Sequence, residues 1–261
     1  MSASKYSYVI KASYGNDSVA LIQWAYEQGL TDVAILYNDT GWAQRDWNAR
    51  VTKLEAWAKS LSFHPHRTTS EGLEALVRRK KGWPRQGIQF CTAELKMAPT
   101  EEWLDEHDPE RAAVSLIGVR RCESANRSSF PEHSVDRSGV KIWAPLVDHD
   151  DAARDALLTR AGVEPMPSRS MECFPCINSN RADLLALAKD EERVAQIEAI
   201  ETSLGHTSKG KPRTMFRPYR YMGATGIRQI IEWAKSARGK FTFSLDDGNG
   251  TPGCEAGWCG A

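Results

Sequence analysis

Ser13-Tyr14-Gly15-Asn16-Asp17-Ser18 is the stretch on which the reading of this 261-residue chain turns. It follows an apolar strand candidate, Tyr8-Val9-Ile10, and opens a helical pattern, Val19-Ala20-Leu21-Ile22-Gln23-Trp24-Ala25. A strand, a short Gly/Ser/Asn turn and a helix amino terminus together form an anion site, because free backbone N–H groups and the positive end of the helix dipole meet there. Ser13 and Ser18 add hydroxyl donors, and Gly15 lets the main chain approach a phosphate closely. Taken alone, the same residues also read as an ordinary βα turn with Asp17 or Ser18 as N-cap.

Working outward, strand-like and helix-like segments alternate through the first half. A helix is predicted over about 18–28, closed by Gly29, then a strand over 33–37. A long amphipathic helix over about 43–60 places Trp47, Val51, Leu54 and Trp57 or Ala58 at core spacing. Phe63 starts a short apolar piece, with His64-Pro65-His66 read as a surface loop, and 71–79 is helical. Residues 112–119 read as a buried strand, and Trp143-Ala144-Pro145-Leu146 as the end of another. This alternation predicts an α/β fold, a Rossmann-like parallel sheet with helices on both faces. Ligands in such sheets sit beyond the carboxyl ends of the strands. The second half reads as helices over about 152–160, 180–203 and 225–236, with a mobile basic loop, Lys209-Gly210-Lys211-Pro212-Arg213, and a Gly-rich tail over 246–261. The organisation expected is a nucleotide-binding α/β domain over 1–185 and a helical carboxyl-terminal region with a Cys-containing tail over 186–261, packed on the same domain.

Hydrophobic residues make up 41% of the chain and charged residues 26%, with a formal net charge of zero, so no global field draws it to nucleic acid or an acidic membrane. No stretch approaches the roughly 18–20 apolar residues of a membrane-spanning helix. The expectation is a cytoplasmic chain without a membrane partner. Six cysteines in that setting favour metal binding or thiol chemistry over a disulfide framework.

Each predicted strand end carries polar residues of the kind a nucleotide site needs. Asn38-Asp39-Thr40-Gly41 follows the second strand. The third runs into Gly118-Val119-Arg120-Arg121-Cys122-Glu123-Ser124-Ala125-Asn126-Arg127, where three guanidinium groups suit a phosphate or sulfate. The plainer reading of that run is a solvated basic loop in which Glu123 pairs internally. Cys173-Phe174-Pro175-Cys176 has the spacing of a metal or cluster edge, Cys254 and Cys259 form a second pair in the tail, and Cys91 stands alone in a loop context. Four thiolates would complete a zinc site or a [4Fe–4S] cluster. Cys122, between Arg121 and Glu123, reads as incidental.

In this order the pieces resemble the phosphoadenylylsulfate (PAPS) and adenylylsulfate reductase family, within the adenine nucleotide alpha-hydrolase, or PP-loop, superfamily. Residues 13–18 are similar to its SGGxDS-type loop, with Tyr14 where a glycine is usual. Asp39-Thr40-Gly41 resembles its DTG element, Cys91 through Pro99 its Cys/Lys/Pro segment, and Gly118 through Arg127 its GxRRxxSxxR stretch; Pro145-Leu146, residues 165–169 and Cys173–Cys176 follow in the family's order. The Glu-Cys-Gly-Leu-His element usual near the carboxyl terminus of these reductases does not occur here. Cys91 stands alone where cluster-bearing members have adjacent cysteines. The pattern is nearest to reductase-like members of phages and DNA-phosphorothioation systems.

The resemblance implies that Ser13, Tyr14, Gly15, Asn16, Asp17 and Ser18 hold the phosphates of an adenine nucleotide, whether PAPS, adenylylsulfate or ATP. Asp17 would fix the loop or help coordinate Mg2+. Asp39, Thr40 and Gly41 would border the adenosine, with Lys96 and Gly118 also at the nucleotide. Arg120, Arg121 and Arg127 would hold the sulfate or distal phosphate. Cys91, Cys173, Cys176 and Cys254 would ligate a [4Fe–4S] cluster, zinc being the alternative. Cys259 would be the nucleophile, served by a thioredoxin-like reductant, with the roles of Cys254 and Cys259 open to exchange. A second reading keeps the site but cleaves ATP to AMP and pyrophosphate for thiolation of an acceptor such as nucleic acid, contacted through Arg78-Arg79-Lys80-Lys81, Lys209–Arg213, Tyr219 and Tyr221. A third makes the chain a zinc-stapled, non-catalytic nucleotide-binding module. Oligomeric state, a homodimer included, is left open.

Overall fold

In the computed structural model, which describes residues 4–85, 87–136, 138–218 and 223–236, the apolar run at Tyr8 becomes β1 (Tyr8–Lys11), the strand on which the sheet is built. It pairs in parallel with β2 (Val33–Asp39), Ile10 opposite Ile35, and with β4 (Val114–Leu116), Ile10 opposite Leu116. The order is β3-β2-β1-β4-β6-β5, with β3 (His64–Thr69), β5 (His133–Val135) and β6 (Lys141–Trp143) completing six strands. All pairings are parallel except β5 with β6, so the sheet is mostly rather than wholly parallel. The chain leaves β1 for one side of the sheet and later returns to the other. That reversal opens a crevice beyond the carboxyl ends of β1, β2 and β4.

Alternation along β1 sends side chains into two layers. Ile10 and Ala12 pack with residues of α1 (Asn16–Glu27), α2 (Trp47–Ser60) and α6 (Asp151–Arg160). Val9 packs on the opposite face with Leu36 and with Trp103 and Leu104 of α5 (Ala98–His107). Helices therefore cover both faces, as an apolar parallel sheet requires. A second apolar cluster joins Trp42, Leu95, Phe174 and the inner face of α3 (Leu73–Lys80) to α7 (Arg181–Leu187), α8 (Glu191–Leu204) and α9 (Ile227–Lys235). The expected division at residue 185 falls inside α7. Glu201 fastens this region internally, its carboxylate accepting the N–H groups of Met215 and Ile227, each at 2.9 Å.

Several local expectations are corrected. Neither Asp17 nor Ser18 caps α1; Gly15 is its N-cap and the helix starts at Asn16. The helix expected over 180–203 is two, because the chain turns after Leu187 and Asp190 restarts it, its carboxylate accepting the N–H of Arg193 at 3.1 Å. Cys91 is not in a loop: α4 (Phe90–Thr92) runs through a π turn, Ala93–Met97, into α5. The basic loop closes as a tight turn in which the Thr207 N–H donates to the Lys211 carbonyl at 2.8 Å. In the run at the end of α3, Arg78 pairs with Glu74, Arg79 with Glu71 and Glu94, and Lys80 with Glu94, which gives this helix end internal counter-charges. Cys254, Cys259, Tyr219, Tyr221 and the Gly-rich tail lie outside the described residues. Among the described residues, no helix is long and apolar enough to cross a membrane.

His64-Pro65-His66 is likewise not a loop but the start of β3, and His66 is half-buried against Tyr6, Trp103 and His107. The Tyr6 hydroxyl and His66 Nε2 share a hydrogen bond of 2.8 Å. Burial first, then the neighbouring His107, Lys5 and His64, push the His66 pKa down to about 4, with Glu106 opposing. The unfolded chain takes up this proton near the ordinary histidine value of about 6.5. The native contribution is therefore complete above about pH 6.5 and is lost as pH falls toward 4. Thermal unfolding midpoints should drop through that window, and His66→Gln should flatten the decline; an unchanged slope in the variant would remove His66 as its source.

Candidate functional site

The loop over 13–18 lies at the carboxyl end of β1 and is tied to its neighbours on three sides. Ser13 Oγ accepts the Gly15 N–H at 3.2 Å, and Ser18 Oγ donates to the Gly15 carbonyl at 3.1 Å, closing the loop on itself. Asn16 uses both ends of its amide on one residue: Nδ2 donates to the Met166 carbonyl at 2.9 Å, and Oδ1 accepts the Met166 N–H at 3.0 Å. That exchange pins the 165–170 segment beside the loop. Tyr14 occupies the left-handed region at φ 58° with its ring fully buried against Tyr37, 5.9 Å between centroids.

Gly15 is needed for space rather than for backbone freedom, since its φ is −75°. A Cβ there would stand 3.0 Å from Ser170 Cβ and 3.3 Å from Ser13 Oγ. Gly118, at the end of β4, approaches the first turn of α1 so closely that a Cβ would lie 3.1 Å from the Asp17 carbonyl oxygen. Gly15→Ala should cost about 1–3 kcal/mol through overpacking. The variant should also push the loop off the 170 segment. Calorimetric unfolding checks the cost, and a wild-type midpoint would contradict this account of the contact.

The arginine run is built with counter-charges. Arg120 is buried; its Nε donates to Asp17 Oδ1 at 2.7 Å, and Asp151 lies 3.0 Å from its Nη2. Burial opposes its charge, and Asp17 more than offsets this, so the Arg120 pKa lies above the ordinary value. Glu123 pairs with the buried Arg127 and stands 3.8 Å from Arg120. Arg121 is more exposed, pairs with Asp148 and donates through Nε to the Phe130 carbonyl at 2.9 Å. Cys122 is exposed and accepts from Arg120 Nη1 at 3.1 Å. Arg154 on α6, which the sequence reading missed, joins the network through Asp151 at 3.0 Å and Asp17 at 4.0 Å.

The loop after β2 links this anionic and cationic end to the cysteines. Asp39 Oδ1 accepts the Gly41 N–H at 2.9 Å, Thr40 Oγ1 donates to the Glu172 carbonyl at 2.9 Å, and the Phe174 N–H donates to the Trp42 carbonyl at 2.8 Å. Lys96 is buried and paired with the buried Glu172 carboxylate, which sequence reasoning also missed. Burial works against the charge on Lys96, and Glu172, then Cys173, more than offset it, so its pKa is raised. Lys96 therefore sits beside Glu172 and the Cys173–Cys176 thiols.

The neighbouring Cys176 lifts the Cys173 thiol, with burial adding to the effect, and the same contact lowers the Cys176 thiol. Burial raises the Cys91 thiol, and Cys176 and Lys96 act on it electrostatically. No three His, Cys, Asp or Glu side chains among the described residues converge to hold a single metal ion. A [4Fe–4S] cluster makes a different demand, one thiolate per iron around a shared body. Among the described residues, Cys91, Cys173 and Cys176 offer three soft donors that act on one another electrostatically, and the buried Asn178 Nδ2 has no partner. The expected fourth ligand, Cys254, and the expected nucleophile, Cys259, lie outside the described residues.

Comparison with known proteins gives the family. The phosphoadenosine phosphosulfate reductase domain family matches residues 7–191, more than two thirds of the chain. The chain belongs to that family. Its matched span takes in the loop, the strand-end residues and Cys91, Cys173 and Cys176. A curated relative, the uncharacterized nin region protein ORF290 of Escherichia phage lambda, is 24% identical over 140 residues, covering 52% of this chain and 45% of that protein. The match thus spans less than half of that relative's length. Among solved structures, the phosphoadenylyl-sulfate reductase of Candida auris aligns with 18% identity and a TM-score of 0.45, over 61% of this chain and 74% of that one. The NMN synthetase of Francisella tularensis aligns with 16% identity and a TM-score of 0.46, over 91% and 87%.

Proposed function

We propose that this member of the PAPS reductase domain family holds an adenine nucleotide on the 13–18 loop and carries out sulfur chemistry at its distal end, reducing a sulfonucleotide to sulfite. The reading is supported by the tie between the 13–18 loop and the buried Arg120 through Asp17, and by the Thr40–Glu172 and Trp42–Phe174 hydrogen bonds that bring the segment of Cys173 and Cys176 to the loop after β2. Ser13, Gly15, Asn16 and Ser18 would cradle phosphate, and Asp39–Gly41 would border the adenosine. Arg120, Arg121 and Arg127 would exchange carboxylate partners for the sulfate or distal phosphate. A [4Fe–4S] cluster on Cys91, Cys173, Cys176 and Cys254 would supply a redox-capable centre beside that end. Unpaired cysteines accord with a reducing, cytoplasmic setting.

In this scheme the Cys259 thiolate attacks the sulfur of the activated sulfate. The bond from sulfur to the bridging oxygen breaks, and the nucleotide leaves as a phosphate oxyanion with the electron pair. One thiolate of a thioredoxin-like dithiol then attacks Cys259 Sγ and sulfite departs with the S–S electron pair; the second thiolate breaks the mixed disulfide, closing the dithiol to a disulfide and returning the Cys259 thiolate. Cys259→Ser should abolish turnover and keep the cluster; loss of cluster instead would exchange Cys254 and Cys259. The deciding experiment measures iron, acid-labile sulfide and zinc in anaerobically purified protein, with sulfite and pyrophosphate release assayed side by side. About four irons and sulfite release support the proposal. Pyrophosphate release from ATP would move the chain to ATP-dependent thiolation, and stoichiometric zinc without turnover would make it a binding module.

A further inference from the structure

Arg120, Arg121, Arg127, Arg154 and Arg169 each face a carboxylate; Arg50 does not. This residue is half-buried on α2, directly behind the 13–18 loop. Its Nε donates to the Tyr14 carbonyl at 2.9 Å, and its guanidinium carbon lies 5.5 Å from the Trp47 ring centroid. Its Nη2 is buried and has no acceptor among the described residues. Burial alone acts on its titration, downward, and among the described residues no carboxylate offsets it.

The carbonyl that Arg50 grips belongs to the most constrained peptide of the loop. Tyr14 has φ 58°, a region that bulky L-residues rarely adopt and that surrounding contacts must hold. The peptide is planar, so drawing the Tyr14 oxygen toward α2 turns the Gly15 N–H to the opposite side, where Ser13 Oγ accepts it at 3.2 Å. A half-buried cation without a counter-ion is unfavourable by itself and favours an anion nearby.

We propose that Arg50 is a positioning residue of the phosphate loop. Through Nε it sets the Tyr14–Gly15 peptide, and its uncompensated charge deepens the positive field that a nucleotide's phosphates enter. This inference rests on the nucleotide-binding reading above. The test is calorimetric titration of the full chain, wild type, Arg50→Gln and Arg50→Lys, with ATP, adenosine 3′,5′-bisphosphate and adenosine over a range of salt. Wild type should bind at least one phosphorylated nucleotide. Arg50→Gln should weaken that binding about tenfold or more and reduce its salt dependence, leaving adenosine unchanged. Arg50→Lys should regain the salt dependence but only part of the affinity, and it serves as the test if Arg50→Gln does not fold. Wild-type affinity in both variants, or equal losses for adenosine and nucleotide, would overturn the assignment of Arg50 alone. Failure of wild type to bind any phosphorylated nucleotide would overturn the nucleotide reading and this inference with it.

Discussion

Lys96→Met is expected to lower folding stability by about 3–5 kcal/mol, the cost of leaving a buried charge without its partner. Both side chains of the Lys96–Glu172 pair are only 8% exposed, so water cannot take over from the missing ammonium. The Glu172 backbone would still be held, because Thr40 Oγ1 donates to its carbonyl oxygen and not to its carboxylate. The loss should therefore come from the stranded carboxylate and be largely reversed in Lys96→Met/Glu172→Gln, where neither charge remains. Urea unfolding of the two single variants and the double variant gives the coupling directly. A single-variant loss below about 1 kcal/mol would mean that the pair is open to solvent and contributes as a surface ion pair does.

What could be read from the sequence depended on how local each signal was. β1, β2 and the loop after β1 are contiguous, apolar and β-branched, then abruptly small and polar, so their pattern carries the fold. β3 escaped because His-Pro-His-Arg-Thr-Thr lies at the sheet edge, where neighbours on one side only demand little hydrophobicity and tolerate proline. The helix over 98–107 escaped because it continues out of a π turn, Ala93–Met97, and through Pro99, which breaks the regular helical period. At the site, the loop residues and the arginine run were legible as short motifs. So was the internal pairing of Glu123, but the distant counter-charges were not: Asp17 and Arg120 are 103 residues apart and Lys96 and Glu172 are 76 apart, so the strand order alone brings them together. Arg50 falls within the amphipathic helix expected over 43–60 without a signal of its own, and only packing shows which carbonyl it reaches.

Asp17→Ala should be the most damaging change in the 13–18 loop, costing about 3 kcal/mol of stability and, under the proposed function, nucleotide binding with it. Asp17 lies in the first turn of α1, where a negative charge is favoured by the helix dipole, and its carboxylate meets Arg120 at 2.7 Å. Removing it leaves a guanidinium whose side chain is 4% exposed, with Asp151 at 3.0 Å and Glu123 at 3.8 Å as remaining counter-charges. Those two soften the loss without replacing the bond, because Asp151 is 75% exposed and Glu123 is shared with Arg127. Asp17→Asn keeps an acceptor for Arg120 Nε but no charge, so it should fall between wild type and Asp17→Ala in stability. Arg120→Met should reproduce much of the Asp17→Ala loss, and the double variant should be less than additive, since the two groups answer each other. The alternative role, a ligand to Mg2+, makes the opposite forecast. In that case Asp17→Asn would unfold at the wild-type urea midpoint while losing the magnesium dependence of nucleotide binding. That outcome would take Asp17 away from Arg120 and give the arginine's charge to Asp151 and Glu123.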